Sequence, residues 1–309
     1  MAGALQLAAG THGYRMCGLT LASCVELPGV APEVPAASPD AVVAYGPVPE
    51  TLPGAARRTL NWEAGAKRLL LRVPGVARFL IQDGRETWLE PMPGRGAGDL
   101  AVFITGAVLG VLLHQRGRFV VHASALAVNG EAVVFCGPSG SGKSVLAAAL
   151  TGAGYPLVAD EVCCIDTDGE RPMVVPDGRR LKLWADTVER LSLAERKHAV
   201  VRAGIEKYWV DPTTPSWGEA LPLRAVYFLH PALLPDTAGL QPVAPIDAVA
   251  ALRVNTYRRR LVRTFGQEQT WLEACGRIVK RAGAWHLTRE VRYEALPGVV
   301  RMLEEHWGR

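Results

Sequence analysis

The sequence predicts an α/β fold with α+β character: a mixed β-sheet carrying helices, preceded by a small β-rich region. Three observations predict it. Residues 1–93 are rich in Pro and Gly and hold short β-like runs. A strand, a glycine-rich loop and an alanine-rich helix follow one another over 131–150. Beyond them strands and helices alternate, and the Asn129-Gly130 dipeptide signals a hairpin, which a purely parallel sheet would lack.

In chain order, the β-like runs are Ala41–Tyr45, Leu69–Val73, Phe79–Gln82 before an Asp83-Gly84 turn, and Trp88–Glu90. Pro93–Gly98 reads as a linker, so 1–96 is expected as a β-rich N-terminal domain and 97–309 as a second, larger one. A helix is expected over 100–114 and a strand over 119–128, with a return strand over 131–136. The glycine-rich loop opens a helix running to about Leu150, which Gly152 and Gly154 end. A strand over 155–165 then reaches the turn 166–169. Strands at 180–184 and 225–229 and helices at 185–198, 246–262, 267–281 and 296–307 complete the expectation.

With 309 residues and 49% hydrophobic content, the chain can bury one large core or two smaller ones. The net charge of +4 is spread over 34 basic and 30 acidic residues without a basic stripe, so nucleic acid is not expected as a partner. The apolar run Leu100–Leu113 falls short of the ~20 residues of a membrane helix, and a buried helix is expected there instead. The first ten residues lack a basic segment, so no secretion signal is read. Six cysteines, at 17, 24, 136, 163, 164 and 275, have neither disulfide nor zinc-site spacing; reduced thiols and a cytoplasmic location follow. Cys163 and Cys164 are expected as buried strand residues.

The chemistry centres on Gly137-Pro138-Ser139-Gly140-Ser141-Gly142-Lys143-Ser144, a full match to G-x-x-x-x-G-K-[ST]. Glycines let the backbone curl until successive N–H groups face one anion, and the helix that follows adds its positive dipole end. Lys143 would reach the β- and γ-phosphates of ATP, and the Ser144 hydroxyl would ligate Mg²⁺. Sixteen residues later come Asp160 and Glu161. Adjacent strand residues point to opposite faces, so both carboxylates reach a nucleotide only where the strand ends or bulges. One would then hold Mg²⁺ and the other accept a proton from an attacking hydroxyl. His122, in the strand before the hairpin, would orient or tune the pair. Arg258, Arg259, Arg260 and Arg263 lie on an expected helix, where 260 and 263 could clamp phosphate or an acidic peptide; a solvated basic face is the plainer reading. Lys207 and Trp209 could belong to a loop over the acceptor, though packing is the plainer reading for the tryptophan.

His122-Ala123, Gly137–Ser144 and Gly154-Tyr155-Pro156-Leu157-Val158-Ala159-Asp160-Glu161 together resemble the core of the bacterial HPr kinase/phosphorylase family over about 115–165. The resemblance implies a P-loop kinase core with a mixed sheet related to phosphoenolpyruvate carboxykinase, and a serine hydroxyl as acceptor. It implies Asp160 as the base toward that serine, with Glu161 and Ser144 holding Mg²⁺. The second acid is Glu where the family has Asp, and no R-G-L-G-type motif or Gly-Arg-Asn loop follows. Those parts serve HPr recognition and the reverse phosphorolysis, so HPr is not the expected acceptor. The whole chain is more similar to HPr kinase-like proteins found with biosynthesis of ribosomally made peptides, particularly lasso peptides. They share stretches like Pro74-Gly75-Val76-Ala77-Arg78-Phe79-Leu80-Ile81 and His114-Gln115-Arg116-Gly117. By that likeness the partner would be a serine on a precursor peptide. A kinase for a small hydroxyl compound such as free serine, and a non-catalytic nucleotide-binding module, are the competing readings. Homo-oligomerisation is left open.

Overall fold

The computed structural model describes residues 10–232 and 237–308. The N-terminal stretch read for a secretion signal lies, but for Gly10, outside them.

The first nine strands form one sheet, in the order Pro32–Glu33, His12–Met16, Leu19–Ser23, Ala41–Tyr45, Glu86–Pro91, Ala77–Gln82, Arg68–Val73, Trp62–Ala64, Arg57–Arg58. Asp83-Gly84 makes the turn expected of it, with both residues at positive φ. The opening hairpin, His12–Met16 with Leu19–Ser23, carries no Asn-Gly or Asp-Gly signal, and sequence reading missed it; Cys17 and Gly18 turn it at positive φ.

The expected helix over 100–114 runs from Ala97 to Gln115 and is not uniform. A π-helical turn, Ile104–Val108, sits between α segments Ala97–Phe103 and Leu109–Gln115. Its length and hydropathy match those of a membrane span, a departure from the shorter apolar run read in the sequence. In this fold 72% of that apolar window is buried against protein. One hydrophobic cluster joins Met16, Leu21, Phe79 and Ile81 of the first sheet to Ile104, Val108 and Leu112 of this helix.

The main sheet is mixed. Leu157–Asp160, Ala123–Val128, Glu131–Cys136, Leu221–Pro231, Gly283–Arg289 and Gly239–Pro242 lie side by side. Glu131–Cys136 runs parallel to Leu221–Pro231, which runs parallel to Gly283–Arg289. Leu157–Asp160 points the same way, because it is antiparallel to Ala123–Val128 and that strand is antiparallel to Glu131–Cys136. The carboxyl ends of four strands therefore meet on one edge, where ligands of α/β sheets bind.

Two strands expected to be continuous are broken at the same level. The strand over 119–128 stops at His122, whose N–H donates to the Asn255 carbonyl instead of to a sheet neighbour (2.8 Å). The strand over 155–165 stops at Glu161, which sits at φ 78°. The outer pieces, Phe119–Val121 and Cys163–Asp166, pair with each other and join the sheet by another route, through Met173–Val175 to the start of Leu221–Pro231. Cys163 and Cys164 are buried there, and all six thiols are free.

The segment 185–198 also departs from expectation. Its helix stops at Arg190, and Lys197–Val200 becomes the edge of a three-stranded sheet with Lys207–Val210 and Leu181–Trp184. The helix expected over 246–262 ends at Asn255, because Tyr257 N–H donates to Val120 O (2.9 Å) and draws the backbone beside a strand. A separate short helix, Arg260–Thr264, follows. Glu268–Arg281 and Leu296–Trp307 form as read.

Candidate functional site

The strand Glu131–Cys136 delivers the glycine-rich loop, and helix Lys143–Gly152 leaves it. Gly140 and Gly142 hold φ of 83° and 80°, a backbone open to glycine at little cost. The Lys143 ammonium, only 6% exposed, donates to the carbonyls of Gly137 (2.8 Å) and Pro138 (2.9 Å), folded over the loop it belongs to. Burial pushes its pKa down.

Asp160 ends its strand beside this loop. The Ser144 hydroxyl donates to its carboxylate, at 2.9 and 3.0 Å from the two oxygens, and the Ser124 hydroxyl donates from the neighbouring strand at 2.6 Å. The Asp160 N–H donates to Asp177 Oδ2 (2.8 Å), and its carbonyl accepts from Arg179. Arg179 is also paired with the Asp177 carboxylate (2.8 Å) and donates to the Thr105 carbonyl in the π-helical turn (3.2 Å). The left-handed backbone at Glu161 turns its side chain away from Asp160, toward Lys182, which it contacts directly, and Arg179 (3.6 Å).

Burial raises the Glu161 pKa, but the cations Lys182 and Arg179 overcome it and hold the carboxyl at about 2. His122 is pushed down to about 4, first by burial and then by Lys143, against the opposing pull of Glu161 and Asp160. The imidazole beside the acids is therefore neutral at pH 7.

These groups line one cleft of about 940 Å³. Ser139, Gly140, Gly142, Lys143, Ser144, Asp160, Glu161 and His122 all face it; Gly137 and Pro138 supply the carbonyls beneath Lys143. Ser141 Oγ is buried against the loop. Arg260 and Arg263 do not line the cleft: the break at Thr256–Arg259 puts them on a separate short helix, where both are exposed. Lys207 faces the cleft from a strand, not a loop, 5.5 Å above the Trp184 ring. Trp209 is a packing residue, 1% exposed, against which Gly29 leaves no room for a Cβ.

The contacts of the two acids differ from the pairing expected of them. Sequence reading joined Ser144 with Glu161 as metal ligands; the structure joins Ser144 with Asp160 and gives Glu161 to two cations. It also adds residues that reading missed: Asp177, Arg179, Lys182 and Arg289. A signal was present for one of them. Lys182 interrupts the apolar run Leu181–Trp184, a strand expected from the sequence, and Arg289 ends the strand Gly283–Arg289, which sequence reading also missed.

Among the described residues no cluster of three or more His, Cys, Asp or Glu could hold a metal unaided. The hard oxygens of Ser144 and Asp160 suit Mg²⁺, which binds through one or two protein oxygens together with phosphates and water.

No family model and no curated protein matches the chain. Among solved structures it is similar to the HPr(Ser) kinase/phosphatase from Coxiella burnetii, at 13% identity over 60% of this chain and 95% of that one, with a TM-score of 0.34.

Proposed function

We propose that the chain is a Mg²⁺- and ATP-dependent kinase that phosphorylates a serine hydroxyl on a peptide. One observation carries the nucleotide part: the Ser144 hydroxyl and Asp160 carboxylate bonded together at the start of the helix that a glycine-rich, lysine-bearing loop opens. Backbone N–H groups of Gly140–Ser144 would cradle the phosphates, and Lys143 would leave its loop carbonyls for phosphate oxygens. Ser144 and Asp160 would hold Mg²⁺, which would supply neutralisation of the phosphate charge.

Glu161, Lys182 and His122 then face the acceptor side. Ionised Glu161 is a weak base at a pKa of about 2, which suits a loose transition state that depends on positioning more than on early proton removal. The peptide acceptor rests on the resemblance read in the sequence and on a cleft that continues past the acids to Lys207 and to Trp184, which is 52% exposed. A relation to phosphoenolpyruvate carboxykinase belongs to the same reading.

The test is transfer of labelled γ-phosphate from ATP with Mg²⁺ to a serine peptide, to free serine and to HPr. Peptide labelling that vanishes when the serine becomes alanine, and in the Lys143→Ala protein, supports the reading. Labelling of free serine alone moves the acceptor to a small molecule, and binding without any transfer removes the kinase. Asp160→Asn should weaken Mg²⁺-dependent ATP affinity as well as rate, whereas Glu161→Gln should lower rate by up to about 10²-fold at near-constant affinity, through lost positioning of the acceptor. The reverse pattern would restore the roles first read from the sequence.

A further inference from the structure

Arg179 and Arg289 are equally buried, each 3% exposed, yet their surroundings are opposite. Arg179 is compensated by Asp177 and Glu161. Arg289 has no carboxylate within ion-pair distance among the described residues. Its guanidinium donates only to neutral carbonyls: Ser141 (2.8 Å), Gly142 (3.3 Å) and Glu290 (3.3 Å). Its Nε–H is buried and bonded to nothing. The nearest acid in sequence, Glu290, is taken by Arg292 at 2.5 Å. Burial alone lowers the Arg289 pKa, as expected of a cation whose charge nothing offsets.

A buried, uncompensated charge costs several kcal/mol, and folds keep one where an anion arrives to use it. Arg289 ends strand Gly283–Arg289 and lines the cleft that Lys143 and Ser144 line. It reaches the loop from the side of the sheet opposite Asp160. The approach is so close that a Cβ on Gly142 would lie 2.3 Å from Nη2, so a side chain there would push the guanidinium aside, besides straining the left-handed φ.

We propose that Arg289 is a phosphate-binding residue of the loop: its guanidinium engages non-bridging oxygens of a bound polyphosphate, completing with Lys143 a two-cation seat. The proposal rests on the nucleotide reading above. Bidentate donation to phosphate is the geometry in which arginine exceeds lysine.

The test uses the full chain and its Arg289→Met and Arg289→Lys variants, with AMP, ADP, ATP·Mg²⁺ and inorganic pyrophosphate as probes. Arg289→Met should leave the ligand-free melting temperature unchanged or raised, because it removes an unpaired buried charge. It should weaken ATP and pyrophosphate by about ten- to a hundredfold and AMP least, with Arg289→Lys between it and wild type. Wild-type affinity for ATP in Arg289→Met overturns the proposal. So does a lower ligand-free melting temperature with an undiminished stabilisation by pyrophosphate, which makes Arg289 a prop for the loop. If Arg289→Met does not fold, Arg289→Lys decides: ATP affinity equal to wild type rejects the fork. Wild-type protein stabilised by pyrophosphate but not by ATP keeps the phosphate seat and removes the nucleotide reading. Stabilisation by neither removes both.

Discussion

Glu161 shows at one residue how burial and charge compete. Burial favours the neutral acid, and two cations reverse that preference. Lys182→Met removes the nearer cation, so the Glu161 pKa should rise from about 2 and the fold should lose up to about 3 kcal/mol, less than orphaning a buried charge outright, because Arg179 remains. Urea midpoints at pH 7 check the second part and carboxyl titration by NMR the first. His122 carries the opposite kind of penalty. Its folded pKa, about 4, lies below the ordinary 6.5, so between those values the unfolded chain binds a proton that the folded chain refuses. Stability conferred by neutral His122 is thus complete above pH 6.5 and falls as the pH drops toward 4. Glu161 then adds its own loss from about 4.5 toward 2. His122→Asn should flatten the urea midpoint between pH 6.5 and 4, though not abolish its slope, since buried His114 is shifted the same way. An unchanged slope would mean that His122 is not the neutral group holding that window.

Among the elements, the helix from Ala97 to Gln115 does most to shape the site. Its π-helical turn leaves the Thr105 carbonyl free for Arg179, and Gly106 and Gly110 let Tyr257 lie against it. A Cβ at Gly110 would meet the Tyr257 ring at 2.4 Å. Gly110→Ala should therefore cost about 1–3 kcal/mol as overpacking despite the better helix propensity of alanine, read as a lower melting temperature; a gain would show that the ring moves freely. This element also marks where sequence reading runs out. Apolar spacing finds a helix at 100–114, but nothing in that spacing announces a π turn, whose partners Arg179 and Tyr257 arrive from far along the chain. The strands expected over 119–128 and 155–165 break for the same reason: His122 and Glu161 leave the ladder for Asn255 and Lys182, and a local pattern does not contain its remote partners. What was legible, the loop 137–144, the acids at 160–161 and His122, is local in sequence. What was not, Asp177, Arg179, Lys182 and Arg289, consists of single charges that only the fold assembles.

Over the whole molecule, the first sheet is less separable than its composition suggests. Its core residues share a cluster with the helix that follows residue 96. Its backbone reaches the acid-holding segment too, through Cys17 N–H to Pro176 O (2.9 Å) and Arg180 N–H to Gly29 O (2.9 Å). A chain beginning at residue 97 would expose the apolar face of that helix and loosen the segment that fixes Asp177 and Arg179. It should unfold without a cooperative transition by calorimetry. A sharp transition with ATP binding retained would show that the two parts stand alone.

The order of strands in the main sheet matters while the protein is being made. Glu131–Cys136 is flanked on one side by a strand that precedes it, and on the other by Leu221–Pro231, with Gly283–Arg289 beyond. At ~5–20 residues per second, the interval between the loop leaving the ribosome and Arg289 doing so is on the order of ten seconds. Through that interval the loop strand lacks its parallel neighbour and then Arg289, so a nascent chain stalled before residue 283 would hold an open sheet edge for chaperones and would have only Lys143 with which to greet a phosphate.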